Sequence, residues 1–346
     1  MICVGVLANP ASGRDIRRLM TSASVFDNAE KGSMVHRLMA GLGAAGVDQV
    51  LMMPAPAGVG ATLSRRLRGR VDGTMPQLEV LDMPLRGDAE DTVEAVRRMR
   101  ERDVAVLVVL GGDGTHRVVS GACGDVPLCA LSTGTNNAFP DMREATVAGL
   151  AAGLVATGQV ADGVLRREKA LHVCYGARRE VALVDVAVSA NRFVGARALW
   201  RVDDVPEAFF AFASPSAVGL SAIGGLVDPI SRDAPYGLHL RLGSPHDCSM
   251  ALMAVLAPGL VVPVGVREAQ RLEPGQIVEV GELGGCLALD GEREIELYGD
   301  EPASVRLGQG PLVIDVDAAL AVAAEQGCLR VRAGTVPAPL GKGESV

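Results

Sequence analysis

From Val104 to Ser120 the chain passes through an apolar run, a glycine turn and the opening of a helix, and few architectures accept that order. Val104-Ala-Val-Leu-Val-Val-Leu110 shows no polar alternation, so both of its faces must be buried, as in a parallel sheet covered by helices. Gly111-Gly112-Asp113-Gly114-Thr115 follows, and then His116-Arg-Val-Val-Ser120 with helical character. Strand, glycine turn and helix in succession present backbone N–H groups and a helix N-terminus to an anion, phosphate above all. Glycine permits a sharp turn and a close approach to the backbone. Asp113 lies inside the turn. A carboxylate there repels phosphate unless it holds a metal or takes a proton, which points to phosphoryl transfer. The simpler alternative is a tight turn in which Asp113 caps the helix. His116 and Arg117 either contact phosphate or lie solvated at the helix start.

The flanking segments extend the same pattern. Strands are predicted at 2–8, 49–53, 78–81, 105–110 and 127–131, and helices at 34–45, 61–70, 89–102 and 142–157. Such alternation gives a parallel α/β sheet with crossover helices, whose ligands sit beyond the carboxyl ends of the strands. From about Val160 the pattern turns to short strands separated by Gly and Pro, at 170–175, 181–190, 238–242, 250–256, 276–280, 284–289 and 304–307. Residues 205–212 are the best helix in that half, and 317–325 read as a final helix. The expected division is an N-terminal α/β nucleotide-binding domain over 1–159 and a β-rich domain over 160–310. A C-terminal helix and tail over 311–346 follow, the tail a loose arm that returns toward the first domain.

Three further segments carry chemistry by position. Asn9-Pro-Ala-Ser12-Gly13 ends the first strand, and a Ser hydroxyl beside a Gly suits either a phosphate-contacting turn or an ordinary capped turn. Thr133-Gly134-Thr135-Asn136-Asn137 follows the strand 127–131 on the same edge. Either Asn amide can read a hydroxyl pair, since it both donates and accepts, or can cap a helix. Asp290-Gly291-Glu292 follows another strand; two carboxylates around a Gly suit Mg²⁺ or general-base work, and Asp-Gly is also a strong hairpin signal. Ser216 to Gly225, with Ser216 and Ser221, is a Ser/Gly-rich stretch that reads equally as a turn. Phe26-Asp27-Asn28-Ala29-Glu30-Lys31 places polar groups between the first turn and the first helix, as a solvated loop would.

Gly111–Thr115 in this setting resembles the signature of the NAD kinase and diacylglycerol kinase superfamily, whose members transfer the γ-phosphoryl of ATP to a hydroxyl. The resemblance implies an NAD kinase-like fold, ATP with Mg²⁺ as cofactors, and NAD or a related small molecule as acceptor. It assigns Asp113, Asp290 and Glu292 to catalysis. Nucleotide contacts fall to Asn9, Ser12, Gly13, Gly111, Gly112, Gly114, Thr115, Thr133, Gly134, Thr135, Asn136, Asn137, Ser216 and Ser221. Asn9–Gly13 and Asp290–Glu292 lean toward the lipid-kinase branch. Several positions depart from the pattern, among them Ile223, an extra residue before the Gly224-Gly225 pair. Arg117 stands where lipid kinases place Asn. Val218 replaces a nucleotide-contacting Tyr of NAD kinases, and Val184-Asp185 replaces their Asn-Glu/Asp pair. A different acceptor, a lipid-like diol or an acetoin-related metabolite, and a non-catalytic nucleotide sensor are the rival readings. Over most of its length, from Asn9 to Arg18 and from Ala288 to Glu294, the chain resembles the acetoin-catabolism protein X group of NAD kinase homologues. Proteins of the superfamily commonly form oligomers, which the resemblance extends to this chain.

Composition narrows the partners. The 346 residues carry a formal charge of −8, which speaks against a nucleic-acid binder, and 49% hydrophobic residues with only 3% aromatics call for aliphatic cores. No apolar stretch is long enough for a membrane span, and no secretory signal is visible at the N-terminus. The seven cysteines lack C-x-x-C spacing and do not pair with the five histidines as zinc ligands. Buried thiols in a reducing cytoplasm are the expectation.

Overall fold

The computed structural model describes residues 1–9, 27–55, 58–68, 75–134, 136–190, 204–281, 284–298 and 301–330. Its first sheet opens with β1 (Cys3–Ala8), β2 (Gln49–Met52), β3 (Gln77–Val80), β4 (Val106–Gly111) and β5 (Leu128–Ser132). These five run parallel in the order β3-β2-β1-β4-β5. The chain builds outward from β1 to β3 and then jumps back across β1 to lay down β4 and β5. The order therefore reverses between β1 and β4, the place where open α/β sheets form a crevice for ligands.

Helices cover both faces because these strands are apolar on both sides. On one face lie α1 (Asn28–Ala44), α2 (Val59–Arg68) and, further along the chain, α5 (Ala145–Ala156). Here Met34, Leu38, Leu42, Ala145, Ala148 and Ala152 close a core over Val4, Val6, Val106 and Val108. Helices α1 and α5 approach closely through glycine, for a Cβ on Gly149 would stand 2.2 Å from the Leu38 carbonyl oxygen. On the other face α3 (Ala89–Glu101) and α4 (Asp113–Ala122) bury Ala95, Val96, Met99 and Val119.

Later strands complete this sheet. β6 (Leu165–Tyr175) and β7 (Arg178–Ala182) pair antiparallel with one another, and β16 (Ala303–Ile314) inserts between β5 and β6. The short β13 (Ile277–Glu279) pairs with β16. The closing helix α7 (Val316–Gln326) packs Val316, Ala319 and Ala323 into the core under α1 and α5.

The second sheet is antiparallel. Its order is β11 (Met250–Ala257), β12 (Leu260–Leu272), β10 (Gly237–Gly243), β9 (Glu207–Phe210), β8 (Asp185–Ser189), β14 (Gly285–Leu289) and β15 (Glu292–Leu297). One face shares a core with β6 and β16 through Val186, Val188, Phe209 and Leu287, and α6 (Leu220–Val227) covers the other. The parallel α/β part and the β-rich part are as the sequence leads one to expect.

Two local expectations fail. Residues 205–212 contain β9 and no helix: Ala208 and Phe210 enter one core and Phe209 the other, so the period is two and the segment is buried on both faces. The helix expected from Met34 begins at Asn28, with the Asp27 carboxylate accepting from the Ala29 N–H at 2.9 Å. Asn28 and Lys31 are buried rather than solvated.

Candidate functional site

The three segments that follow β1, β4 and β5 meet at the reversal point of the first sheet. Asn9 donates from its backbone N–H to the Leu110 carbonyl at 3.3 Å, and its Nδ2 donates to Thr115 Oγ1 at 3.0 Å. The Thr133 N–H donates to the Gly111 carbonyl at 3.2 Å. Asn137 Nδ2 reaches Ser132 Oγ at 2.7 Å, bracing the turn it belongs to rather than facing outward. Asn136, beside it, is also half-buried. Ser12, Gly13 and Thr135 lie outside the described residues.

The glycines of the signature are there for their neighbours. Gly111, Gly112 and Gly114 are absent from the positive-φ glycines among the described residues. A Cβ on Gly111 would stand 2.6 Å from the Thr115 side chain, on Gly112 2.9 Å from Asn137 Oδ1, and on Gly114 3.1 Å from Glu292 Oε1. Gly114 thus brings the Glu292 carboxylate onto the first turn of α4. Gly112 caps that helix with no side-chain hydrogen bond of its own, so the N-terminal dipole is left for an anion.

Asp113 does something the sequence does not announce. Its carboxylate accepts from the backbone N–H of Ala138 at 3.0 Å and of Phe139 at 2.8 Å. From the other side Arg232 donates to the Ala138 carbonyl at 2.9 Å and to that of Phe139, and its guanidinium lies 5.0 Å from the Phe139 ring centre. The turn that carries Asn136 and Asn137 is held between an acid and a base. Arg232 itself is fixed by Glu168, 3.5 Å away.

Asp290 and Gly291 form the two-residue hairpin between β14 and β15. Both have positive φ, 51° and 79°, as the Asp-Gly pair favours. The turn and the site coincide. The Asp290 carboxylate is buried and accepts from the N–H groups of Leu183 at 3.0 Å, Val184 at 2.7 Å and Asp185 at 3.2 Å. Burial pushes its pKa up to about 7, the backbone donors oppose that, the Asp113 charge adds to it and Arg117 subtracts. Asp113 and Asp290 are therefore near enough to feel each other, with Glu292 two residues on.

His116 and Arg117 are buried rather than solvated. His116 is fully buried and donates from Nδ1 to the Gly112 carbonyl at 2.9 Å; burial pushes its pKa down to about 4, so it is neutral and buttresses the turn. Arg117, also buried, lies 3.8 Å from Glu180 of β7. Lys31, in the stretch expected to be a solvated loop, is fully buried and donates from Nζ to the Asn9 carbonyl at 2.9 Å. Ser216 and Ser221 stand apart. Ser216 bonds Ser214, and Ser221 lies buried in α6, which packs on β9 and β11. Their nucleotide role gains no geometric support.

ATP suits this edge, where a helix N-terminus faces the crevice and a buried Lys backs it. Among the described residues no three His, Cys, Asp or Glu side chains gather into a metal cage. That is compatible with Mg²⁺, which prefers phosphate oxygens and water with one or two carboxylates.

A model of the ATP-NAD kinase N-terminal domain matches residues 4–160, which hold the parallel strands β1–β5 and the segments that follow β1, β4 and β5. The parallel half of the fold, with the glycine turn at its edge, is thus similar to that of ATP-NAD kinases. A model of the C-terminal domain of acetoin catabolism protein X matches residues 169–310. The acetoin catabolism protein X of Cupriavidus necator is 44% identical over 312 residues, covering 88% of this chain and 87% of that protein. The chain belongs to the acetoin catabolism protein X family. Among solved structures, two of a Bacillus anthracis str. Sterne protein provisionally named a diacylglycerol kinase cover 90% of this chain and 96% and 97% of theirs. Identities of 12% and 13% and TM-scores of 0.43 and 0.42 make that likeness too weak to carry residue roles. No described helix is long and apolar enough to cross a membrane, and all seven cysteines are free thiols.

The Gly114–Glu292 contact yields a prediction. Gly114→Ala should push the carboxylate aside by a few tenths of an ångström or more, because a flexible side-chain end gives way before backbone does. Turnover should fall about 10- to 100-fold, the cost of misplacing a reacting group, with the melting temperature close to wild type. Unchanged turnover in that variant would remove Glu292 from the reacting geometry.

Proposed function

We propose that this protein transfers the γ-phosphoryl group of ATP to a hydroxyl of a small molecule. The observation that carries the reading is the meeting of Asn9, Gly111–Thr115 and Thr133–Asn137 at the reversal point, with Glu292 set against Gly114. The phosphates lie at the N-terminus of α4, and Asn136 reads ribose hydroxyls. Mg²⁺, when bound, offsets the charge on the β- and γ-phosphates. Glu292 takes the proton of the acceptor hydroxyl as its oxygen attacks the γ-phosphorus; the bond to the β–γ bridging oxygen breaks and ADP leaves. Asp113 and Arg232 act at one remove by fixing the 133–139 turn. Asp290 holds Leu183–Asp185 against the site.

NAD is the reference acceptor, and one observation favours a different one. Val184 and Asp185 stand where NAD kinases carry their Asn-Glu/Asp pair; Val184 is buried and its N–H is taken by Asp290. A site that hydrogen-bonds a substrate discriminates by about 10⁴-fold against partners lacking the match, and the converse loss applies where the donor is replaced by an apolar group. NAD phosphorylation should therefore be weak, with a smaller hydroxylated metabolite preferred. The test is transfer of radiolabelled γ-phosphate over a panel of hydroxylated metabolites, NAD among them, with Mg²⁺. Saturable NADP formation at micromolar NAD with turnover near about 10 s⁻¹ would make NAD the true acceptor, and no transfer to any member would leave a nucleotide sensor.

A further inference from the structure

The second sheet carries a cavity that the phosphoryl-transfer reading does not use. It has a volume of about 1230 Å³, above the roughly 300–1,000 Å³ of most small-ligand pockets, and lies across the ends of β9, β10 and the β11–β12 hairpin. Strand register separates it from the first site. Asp185 pairs with Phe210 at one end of β8 and β9, and Val188 pairs with Glu207 at the other. Asp290 meets Asp185 at the first end, whereas Glu207 lines the cavity at the second.

Two cations are placed there by features of the backbone. Arg241 pairs with Glu268 and Leu242 with Val266, so Arg267 is the extra residue of a β-bulge. Bulges break the in–out alternation and re-aim a side chain. The Arg267 guanidinium lies on Gly243, where a Cβ would stand 2.3 Å from its Nε. A glycine and a bulge together seat one arginine in the cavity wall. Arg241 is beside it, in the cavity and 3.8 Å from Glu268, with both of that pair largely exposed. Such a pair is worth little, so an incoming anion can take the guanidinium over.

The lining holds two carboxylates, Glu207 and Glu268, and the more buried of them, Glu207, is already satisfied. Glu207 Oε1 is 2.6 Å from His239 Nε2, and Oε2 accepts from the Gly281 N–H at 3.0 Å. His239 lies stacked on Phe209, ring centres 4.3 Å apart. Burial pushes the Glu207 pKa up while His239 and Gly281 bring it below its ordinary value, so the carboxylate stays charged and turned inward. Among the described lining residues Arg267 pairs with no carboxylate, and His246 adds a third nitrogen base at the rim. Leu242, Leu256, Leu260 and Val262 supply an apolar wall. Two arginines and two carboxylates leave the lining formally neutral, but Glu207 is engaged by His239 and Gly281, so the Arg267 charge stands beside the hydrocarbon wall without a carboxylate partner.

We propose that this cavity is a second ligand site, separate from the phosphoryl-transfer site, for a small amphiphilic anion. The head group, a carboxylate or a phosphate ester, engages Arg241 and Arg267, and a short hydrocarbon body lies on the Leu242–Val262 wall.

Calorimetric titration of the full chain with hexanoate, hexyl phosphate and hexanol tests it. At least one of the two anions should saturate a single site with Kd of about 1 mM or tighter. The stronger of the two identifies the head group. Hexanol should not saturate, and saturating ATP should leave the binding in place. Arg267→Gln should weaken the anion about tenfold, as loss of a charge-assisted contact does. Gly243→Ala should weaken it as well, by displacing the guanidinium without changing any charge, which keeps the test valid if the first variant folds poorly. The proposal is overturned if neither anion saturates by about 10 mM, if hexanol binds as well as hexanoate, if ATP displaces the anion, or if both variants bind like wild type.

Discussion

Glu292→Gln should lower phosphoryl transfer by about 10²-fold or more, the scale of a positioned acid–base group. Nucleotide affinity should hold, because removing a negative charge beside phosphates does not weaken them. Asp113→Asn should also lower turnover, by roughly 10²-fold, but through a different route. Its carboxylate accepts from both Ala138 and Phe139, and a carboxamide cannot reproduce that grip with the same charge. The turn bearing Asn136 should then loosen, so KM for ATP rises along with the fall in kcat. Steady-state kinetics separates the two cases. A Glu292→Gln enzyme within a few-fold of wild type would end the assignment of Glu292 as base.

Asp290→Ala should be the most destabilising single change in the site. It strips the acceptor from the N–H groups of Leu183, Val184 and Asp185. A buried donor left unpaired costs about 1–3 kcal/mol, and the loss of three is a large part of the roughly 5–15 kcal/mol that holds a domain folded. Asp290→Asn keeps one acceptor and should fold. The pH dependence has a definite sign. The folded pKa, about 7, is raised above the ordinary aspartate value of 3.8. Between those values the folded state keeps a proton that the unfolded chain has lost. Stability attached to this group therefore falls as pH rises from about 4 to 7 and is level above that. Denaturant midpoints of wild type and Asp290→Asn across that range should converge as pH rises. Parallel curves would show that the group does not titrate there.

The parallel half of the fold was legible because its central strands β1 and β4 are unbroken apolar runs and helices such as α3 are amphipathic, so the period distinguishes them. β12 escaped notice: Pro263, Gly265 and the run Arg267 to Gln270 disguise a strand of 13 residues, and its bulge shifts the alternation partway. Residues 205–212 misled because a segment buried on both faces has no polar side to reveal its period. In the site, the glycine signature and the ends of β1, β4 and β5 were readable because topology brings such ends together. What Asp113 bonds was not, since Ala138 and Phe139 reach it only through tertiary packing. Arg232 carries no local mark, and the polar stretch ending at Lys31 reads as solvated; their roles exist only once Phe139 and Asn9 are in place.

The insertion of β16 between β5 and β6 has a consequence for timing. On a ribosome the chain emerges from its N-terminus, and the nucleotide edge at Asn9, Gly111 and Thr133 is made early. The partner of β5 is β16, whose residues 303–314 arrive almost last. Until then β5 presents an open edge, a template for pairing with another nascent chain. Glu292 and Asp290 also arrive in that final stretch. A truncated or stalled product would thus hold the crevice at the reversal point without Asp290 and Glu292, and with one edge of its sheet still open.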